Sequence, residues 1–297
     1  MNETIGVIVP TYNCKEYLSD CLDSLLLQSH KPAQIVICDD CSQDGTQDVI
    51  LEYQSRHPEI ISSILHDKNL GIPANFNSGL RSINGDYISI VAGDDLWHKD
   101  KLKLEIKGLH ENLECRWAYS DTVLIDKHGN IIGPFKRKYD GADGKIIFEV
   151  LTHQMTLRNW TIERSLLDSI GIFDEDLPIF EDWDFKIRLA SKAKVVHIDN
   201  DSIYYRMHGE GISGSSGDVY FDNLLKIYFK HKTLINKQPK ERVMLIKKYH
   251  MDDMSQQAGR FLKNSESRAG YKYFKYLAIK IFLEFYRVLL RLQSRKI

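Results

Sequence analysis

Four short apolar runs in the first hundred residues alternate with stretches of helical periodicity, and this alternation restricts the fold more than any other feature. The runs lie in the segments IGVIVP, AQIVICDD, ISSILHD and GDYISIVAGDD. The first intervening stretch, KEYLSDCLDSLLLQS, repeats its apolar residues at steps of three and four, as an amphipathic helix does. Strands that alternate with helices at this spacing form βαβ units. The sequence therefore predicts an α/β fold with a largely parallel sheet flanked by helices.

Polar residues follow three of the predicted strands at the point where each strand ends. They are the segments 10–13 (PTYN), Asp39 with Asp40, and Asp94 with Asp95. Open parallel sheets bind ligands outside the carboxyl ends of their strands, so these residues are the candidates for a binding site. The chain has neither a GxGxxG motif after its first strand nor a Walker lysine motif. A dinucleotide fingerprint and a P-loop are thereby excluded.

Asp94 and Asp95 place two like charges at the end of an apolar strand. Adjacent carboxylates in a partly buried site repel each other and resist ionising together. A divalent cation such as Mg2+ or Mn2+ removes this conflict, and it commonly takes one or two carboxylates plus phosphate oxygens as ligands. The alternative is a solvated turn in which Asp94 caps the following helix.

The rest of the chain predicts further strands and a helical end. RWAYSDTVLIDKHGNII indicates two strands around the turn 127–130, and FEDWDFKIRLASKA indicates a helix with acids in its first turn. KVVHIDNDSIYYRMHGEGIS predicts a last pair of strands that runs into a flexible loop, and GISGSSGD is typical of a linker. Residues 219–292 have a helical pattern. We therefore expect a catalytic domain over 1–217 and a helical region over 218–297.

Four segments taken in order resemble family 2 glycosyltransferases of the GT-A fold: VIVPTYNCKEYLSDCLDSLLLQS, IVICDDCSQDGT, GDYISIVAGDD and FEDWDFKIRL. The resemblance covers about residues 4–215. It implies a Rossmann-like, mixed and mostly parallel sheet, with a helical C-terminal extension in this chain. It also implies an inverting transferase of the bacterial surface-polysaccharide type.

The resemblance assigns roles by position. Pro10 and Tyr12 are expected to flank the nucleobase, and Asp40 to accept its hydrogen bond. The full set of residues expected to bind a nucleotide-sugar donor is Pro10, Thr11, Tyr12, Asp39, Asp40 and Asp94. Asp95 and His208 are the expected ligands of Mn2+ or Mg2+, because Ala92 stands where relatives carry another acid. Asp182 is the expected catalytic base, with Glu181 beside it. An arginine common among relatives after the third strand is also absent, with Phe76 in that region and Arg81 nearby.

The residue types suit this reaction. An inverting sugar transfer needs a base that takes the proton of the attacking hydroxyl and a cation that stabilises the departing diphosphate. We expect a UDP-sugar donor and a glycan acceptor, in particular a lipid-linked one, in O-antigen, capsule or related synthesis. Two alternatives stay open: a nucleotidyltransferase, which would be expected to carry a Gly-rich basic loop after the first strand, and a non-catalytic nucleotide-sugar-binding module.

Charge is unevenly distributed along the chain. Residues 221–297 hold 18 basic against 6 acidic residues, whereas the remainder holds 22 against 35. The final segment YKYFKYLAIKIFLEFYRVLLRLQSRKI predicts a basic amphipathic helix, suited either to a membrane surface or to packing on the catalytic domain. An acidic body argues against nucleic acid as a partner.

No signal peptide pattern and no spanning segment of about 18 apolar residues is found. We expect a cytoplasmic protein, with its tail at the inner face of the cell membrane.

Five cysteines include one lone CxxC, Cys38 to Cys41. An odd number without a second CxxC favours reduced thiols over a zinc site or a disulfide framework.

Overall fold

The computed structural model describes residues 3–208 and 217–264. Within them, nine strands form one sheet in the order β3-β2-β1-β4-β8-β6-β9-β5, with β7 paired to β6. The strands are β1 (Ile5–Thr11), β2 (Gln34–Asp39), β3 (Ile61–Leu65), β4 (Tyr87–Ile90), β5 (Leu96–Trp97), β6 (Cys115–Asp126), β7 (Ile131–Pro134), β8 (Thr161–Glu163) and β9 (Lys194–Met207).

Helices follow most of the strands along the chain. They are α1 (Lys15–Leu26), α2 (Thr46–Arg56), α3 (Ile72–Ser82), α4 (Lys101–Glu111), α5 (Ile147–Leu151), α6 (Arg164–Ile170), α7 (Glu181–Lys192), α8 (Gly217–Lys230), α9 (Lys232–Asn236) and α10 (Lys240–Asn264). The strands β1 to β4 pair in parallel, whereas β8 is antiparallel to both β4 and β6. The predicted mixed, mostly parallel α/β fold is confirmed.

Both faces of the central sheet are covered, which explains why β1, β2 and β4 read as continuous apolar runs. On one face, Val7 and Val9 join a buried cluster with Leu18 and Leu22 of α1. On the other, the ring of Trp160 stacks on Phe185 of α7, with 4.9 Å between the centroids. The sheet is therefore a rigid support whose strand ends are the accessible part.

The segment 194–207 is one strand, so the prediction of a pair of strands there is wrong. β9 runs parallel to β6 from Lys194 to Met207. Ser120 pairs with Ile198, but the next pair is Asp121 with Asp201, so the register shifts at this point. The polar residues in between, which resemble a turn in the sequence, are accommodated as a bulge.

The chain divides into two compact units, one of residues 1–147 with 154–211 and one of residues 148–153 with 212–297. In the second unit, the guanidinium of Arg242 lies 4.7 Å from the ring centroid of Phe148, and Nε2 of His250 lies 2.7 Å from the carbonyl oxygen of Leu151. The predicted loop at 209–216 and the amphipathic tail beyond residue 264 lie outside the described residues. No helix within 3–208 and 217–264 combines the length and apolarity that crossing a membrane requires.

Candidate active site

The ends of β1, β2 and β4 meet at one edge of the sheet. The backbone N–H of Asp40 donates to the carbonyl of Thr11 (3.0 Å), and that of Gly93 donates to the carbonyl of Pro10 (3.1 Å). A Cβ atom on Gly93 would lie only 2.7 Å from Cγ2 of Thr11, so this close approach requires glycine. The three polar strand ends predicted from the sequence are therefore brought together.

The two acids after β2 organise the loops around them. Asp39 is fully buried and accepts hydrogen bonds from the hydroxyls of Thr11 (3.0 Å) and Ser42 (2.5 Å). Asp40 is 4% exposed, and its two oxygens accept the backbone N–H groups of Leu70 (2.6 Å) and Gly71 (3.0 Å). Each carboxylate oxygen has two lone pairs, so one remains on each oxygen of Asp40 for a further donor.

The two strand-end residues predicted to flank the nucleobase are accessible at this edge. Tyr12 is 44% exposed and Pro10 is half-buried. An exposed tyrosine ring at this edge offers a stacking surface for a planar group.

Asp94 and His208 form a close pair at the ends of β4 and β9. Oδ2 of Asp94 lies 3.0 Å from Nε2 of His208, and the imidazole stacks on Tyr17 of α1 with 5.0 Å between the ring centroids. This separation is that of a hydrogen bond, and it is also the separation of about 3.0 Å between adjacent ligand atoms of an octahedral ion with bonds of about 2.1 Å, so the two side chains could hold Mn2+ or Mg2+ in its place. Since the described residues contain no group of three or more metal-ligating side chains, the other ligands of such an ion would come from substrate and water.

Asp95 occupies a different environment from its neighbour. It is fully buried, and its Oδ1 accepts the backbone N–H of Arg206 at 3.1 Å. The amide of Asn159 approaches Oδ2 at 3.5 Å. Burial and the adjacent charge of Asp94 raise the pKa of Asp95 to about 7. Asp95 as a metal ligand stays a prediction, and Asp94 with His208 is the pair that reaches solvent.

Arg206 fixes the loop that carries these acids, a role that the sequence analysis did not assign. Its Nε donates to the carbonyl of Asp94 (2.9 Å) and its Nη1 to the carbonyl of Lys127 (3.0 Å). Its guanidinium stacks over Tyr17 at 4.8 Å from the centroid. The sequence signal for this role is that Arg206 is a charged residue within the strand segment IYYRM, which is otherwise apolar and aromatic.

Glu181 and Asp182 begin α7 directly after a strained residue. Phe180 has φ +67°, which is rare for a bulky side chain and is characteristic of functional sites. Glu181 is buried, and burial with the charge of Asp182 raises its pKa to about 8. Asp182 is more exposed and forms an ion pair with Lys186 (2.7 Å).

The helix α7 connects to the strand ends through β8. Trp160, which stacks on Phe185 of α7, directly follows Asn159, whose amide approaches Asp95. The other residues considered in the phosphate region have structural partners: Phe76 packs on Phe173 with 4.9 Å between ring centroids, and Arg81 forms an ion pair with Glu175 (3.1 Å).

None of the five cysteines is part of a disulfide. Only Cys41 is partly exposed, and the other four are buried.

Comparison with known proteins identifies the pattern. The model of the family described as glycosyl transferase family 2 matches residues 6–166. Chondroitin synthase of Escherichia coli is 26% identical over 226 residues, which cover 75% of this chain and 32% of that protein. The putative teichuronic acid biosynthesis glycosyltransferase TuaG of Bacillus subtilis is 32% identical over 153 residues, 50% of this chain and 60% of that protein. The chain thus spans between about a third and three fifths of these relatives.

Solved structures share the fold. S. aureus TarS 1-349 in complex with UDP-GlcNAc gives a TM-score of 0.65 at 19% identity, with 99% of this chain and 92% of that chain covered. The mannosyltransferase PcManGT from Pyrobaculum calidifontis, in complex with GDP-Man and Mn2+, gives 0.57 at 18% identity, with 98% and 84% covered. The fold expected from the sequence is the one found in these transferases.

Proposed function

The chain belongs to glycosyl transferase family 2 and is a glycosyltransferase, and from that premise we propose that it transfers a sugar from a nucleoside-diphosphate donor to a hydroxyl of a surface polysaccharide under assembly. The donor is a UDP-sugar, the acceptor is a glycan, in particular a lipid-linked one, and the anomeric configuration is inverted. Relatives whose names refer to chondroitin and teichuronic acid synthesis, and a neighbour bound to UDP-GlcNAc, support this proposal.

The contact between Asp94 and His208 is the observation that carries the proposal. A carboxylate that follows β4 and an imidazole that follows β9 lie 3.0 Å apart at the strand ends. These two side chains would hold Mn2+ or Mg2+. When bound, the ion stabilises the negative charge that develops on the leaving diphosphate.

The other residues of the site divide between donor and acceptor. Tyr12 and Pro10 provide a surface for the nucleobase, and Asp40 accepts a hydrogen bond from it. Arg206 holds the backbone of Asp94 and so orients its carboxylate. Asp182 takes the proton of the acceptor hydroxyl, because it is more exposed than Glu181, whose raised pKa keeps a proton on it at neutral pH.

A screen of nucleotide sugars tests the proposal. The full chain is incubated with UDP-, GDP- and dTDP-sugars and Mn2+, with water or an added methyl glycoside accepting the sugar, and release of the nucleoside diphosphate is measured with and without chelator. Turnover of at least one UDP-sugar that stops on addition of chelator is expected. A chain that binds and turns over none of these donors would not be a transferase of the proposed kind.

The alternative of a nucleotidyltransferase receives no support from the site. The segment between β1 and α1 consists of Tyr12, Asn13 and Cys14 and has no basic residue, and Lys15 is the first residue of α1. The matched family is one of sugar transfer.

A further inference from the structure

Arg158 lies on the same face of the sheet as α7. In β8, Thr161 points towards α4, where its Oγ1 accepts from Nζ of Lys101 at 3.2 Å. Its neighbour Trp160 points the other way and stacks on Phe185 of α7. Asn159 lies between Trp160 and Arg158 and has φ +48°, so strand alternation does not extend to Arg158, and the contacts of its side chain show which face it lies on.

The contact of Arg158 with β9 places its side chain on the face opposite α1, because consecutive residues of a strand point to opposite faces. Its guanidinium carbon lies 3.7 Å from the ring centroid of Tyr205. The next residue, Arg206, stacks instead on Tyr17 of α1. Arg158 and Arg206 thus lie on opposite faces of the sheet, on either side of the Asp94 and Asp95 loop.

The guanidinium of Arg158 is held by rings and not by hydrogen bonds. It is half-buried and lies against Tyr205, whose ring stacks on that of Phe135 with 5.8 Å between the centroids, and the Phe135 centroid is 5.7 Å from the guanidinium. Among residues 3–208 and 217–264, no acceptor bonds to it and no carboxylate forms an ion pair with it. Its charge is nevertheless felt in the site, since it lowers the pKa of Asp95 against the larger effect of burial. Stacking fixes the plane of a guanidinium and leaves its N–H donors directed outward, a geometry that matches carboxylate and phosphate.

Further positive charge follows Phe135 in the chain. Residues 136–138 are Lys, Arg and Lys, and all three are exposed. A run of basic residues beside a stacked arginine attracts anions over a distance of about 10 Å at moderate salt.

We propose that Arg158, seated on Tyr205 and Phe135, binds an anionic group of the acceptor, a carboxylate or a phosphate on the sugar that receives the transfer. This inference rests on the proposed function and adds the chemical class of its acceptor. The acceptor hydroxyl must approach the proposed base Asp182, which is on α7, and Arg158 is on that face. The donor diphosphate belongs to the loop of Asp94 with His208, whose imidazole is stacked on the α1 side.

Binding of small glycosides tests the proposal. Methyl β-glucuronide, methyl β-glucoside 6-phosphate and neutral methyl β-glucoside, with their galacto counterparts, are titrated into the full chain saturated with UDP and Mn2+. At least one anionic glycoside is expected to bind about tenfold more tightly than its neutral parent, as charge-assisted hydrogen bonds of this kind provide. The uronide and phosphate arms separate the two sources of the charge.

Variants assign the effect to the residue. Arg158→Gln is expected to abolish the preference for the anionic glycoside, and Arg158→Lys is expected to retain part of it. Both variants are expected to bind UDP within about twofold of the parent. Lys107→Gln, on the exposed side of α4, is the matched control. The proposal is overturned if no anionic glycoside is preferred, if Arg158→Gln keeps the preference, or if that variant loses UDP affinity tenfold, which would place Arg158 in the donor site. A parent chain that binds no nucleoside diphosphate contradicts the proposed function instead, and the anion preference is then measured without nucleotide.

Discussion

Oδ2 of Asp94 lies 3.0 Å from Nε2 of His208, although 114 positions separate the two residues in the chain. The neighbouring carboxylate of Asp95 accepts the backbone N–H of Arg206 and is fully buried. The two adjacent acids thus occupy different environments, one at the surface of the site and one beneath it. Burial and the charge of Asp94 raise the pKa of Asp95 to about 7, and protonation of Asp95 removes the repulsion between the two acids.

Asp94→Asn is expected to weaken Mn2+-dependent binding of UDP by about tenfold or more, because a neutral amide is a poor ligand for a hard cation. Asp95→Asn retains an oxygen that can accept from Arg206 and is expected to weaken binding less. Calorimetric titration of UDP with and without Mn2+ measures both variants. Equal loss of metal dependence in both would show that Asp95 is also a ligand, as the sequence motif predicts.

Asp182→Asn is expected to reduce transfer by about 10²- to 10⁴-fold and to leave donor affinity unchanged, since a general base acts only on the acceptor hydroxyl. The single-turnover rate and the UDP dissociation constant separate these effects. Lys186→Gln, which removes the ion pair of 2.7 Å but keeps the carboxylate, is the control and is expected to retain most activity. Undiminished transfer by Asp182→Asn would exclude this residue as the base.

Glu181 makes stability depend on pH. Its pKa is raised from 4.5 to about 8 by burial and the charge of Asp182, so between these values the folded chain binds a proton that the unfolded chain has lost. The free energy of unfolding therefore falls as pH rises from about 5 to 8. Glu181→Gln, which is always neutral, is expected to flatten this decline in melting temperature measured at half-unit steps. An identical slope in parent and variant would contradict the raised pKa.

The fold was predictable because it depends on local patterns. The alternation of apolar runs and helical periodicity identifies β1 to β4 and α1 to α4, and parallel pairing brings their ends together without further information. Asp40 and Asp94 could be selected because they follow predicted strands, whereas Asp182 was assigned only from the resemblance to family 2 glycosyltransferases and stays a prediction. The bulge that makes β9 one strand could not, because it is set by pairing with a segment about 80 positions away.

The environments of the site residues were harder to predict from the sequence than the fold. Asp95 is fully buried and Asp94 is not, and two adjacent aspartates in a sequence give no sign of which one will be buried. Arg158 and Asn159 lie in no recognised motif, and they reach the site only because β8 inserts between β4 and β6. Side chains positioned by sheet order are therefore found only in the structure.

Lys101 and Glu105 of α4 form an ion pair in which both side chains are fully buried. Nζ of Lys101 lies 2.9 Å from Oε2 of Glu105, and it donates to Oγ of Ser89 in β4 at 2.8 Å. Lys101→Met is expected to destabilise the chain by about 3–5 kcal/mol, because it leaves the carboxylate of Glu105 buried and unpaired.

Unfolding in urea measures this effect, with Lys107→Met as the control. Lys107 also pairs with an acid four positions later, but on the solvent side, so its replacement is expected to change stability by about 0.5 kcal/mol or less. The double variant Lys101→Met with Glu105→Leu is expected to recover most of the loss, because apolar groups can replace a buried ion pair at little cost. If the double variant is as unstable as Lys101→Met, the hydrogen bonds to Ser89 and Thr161, and not the unpaired charge, are what the lysine contributes.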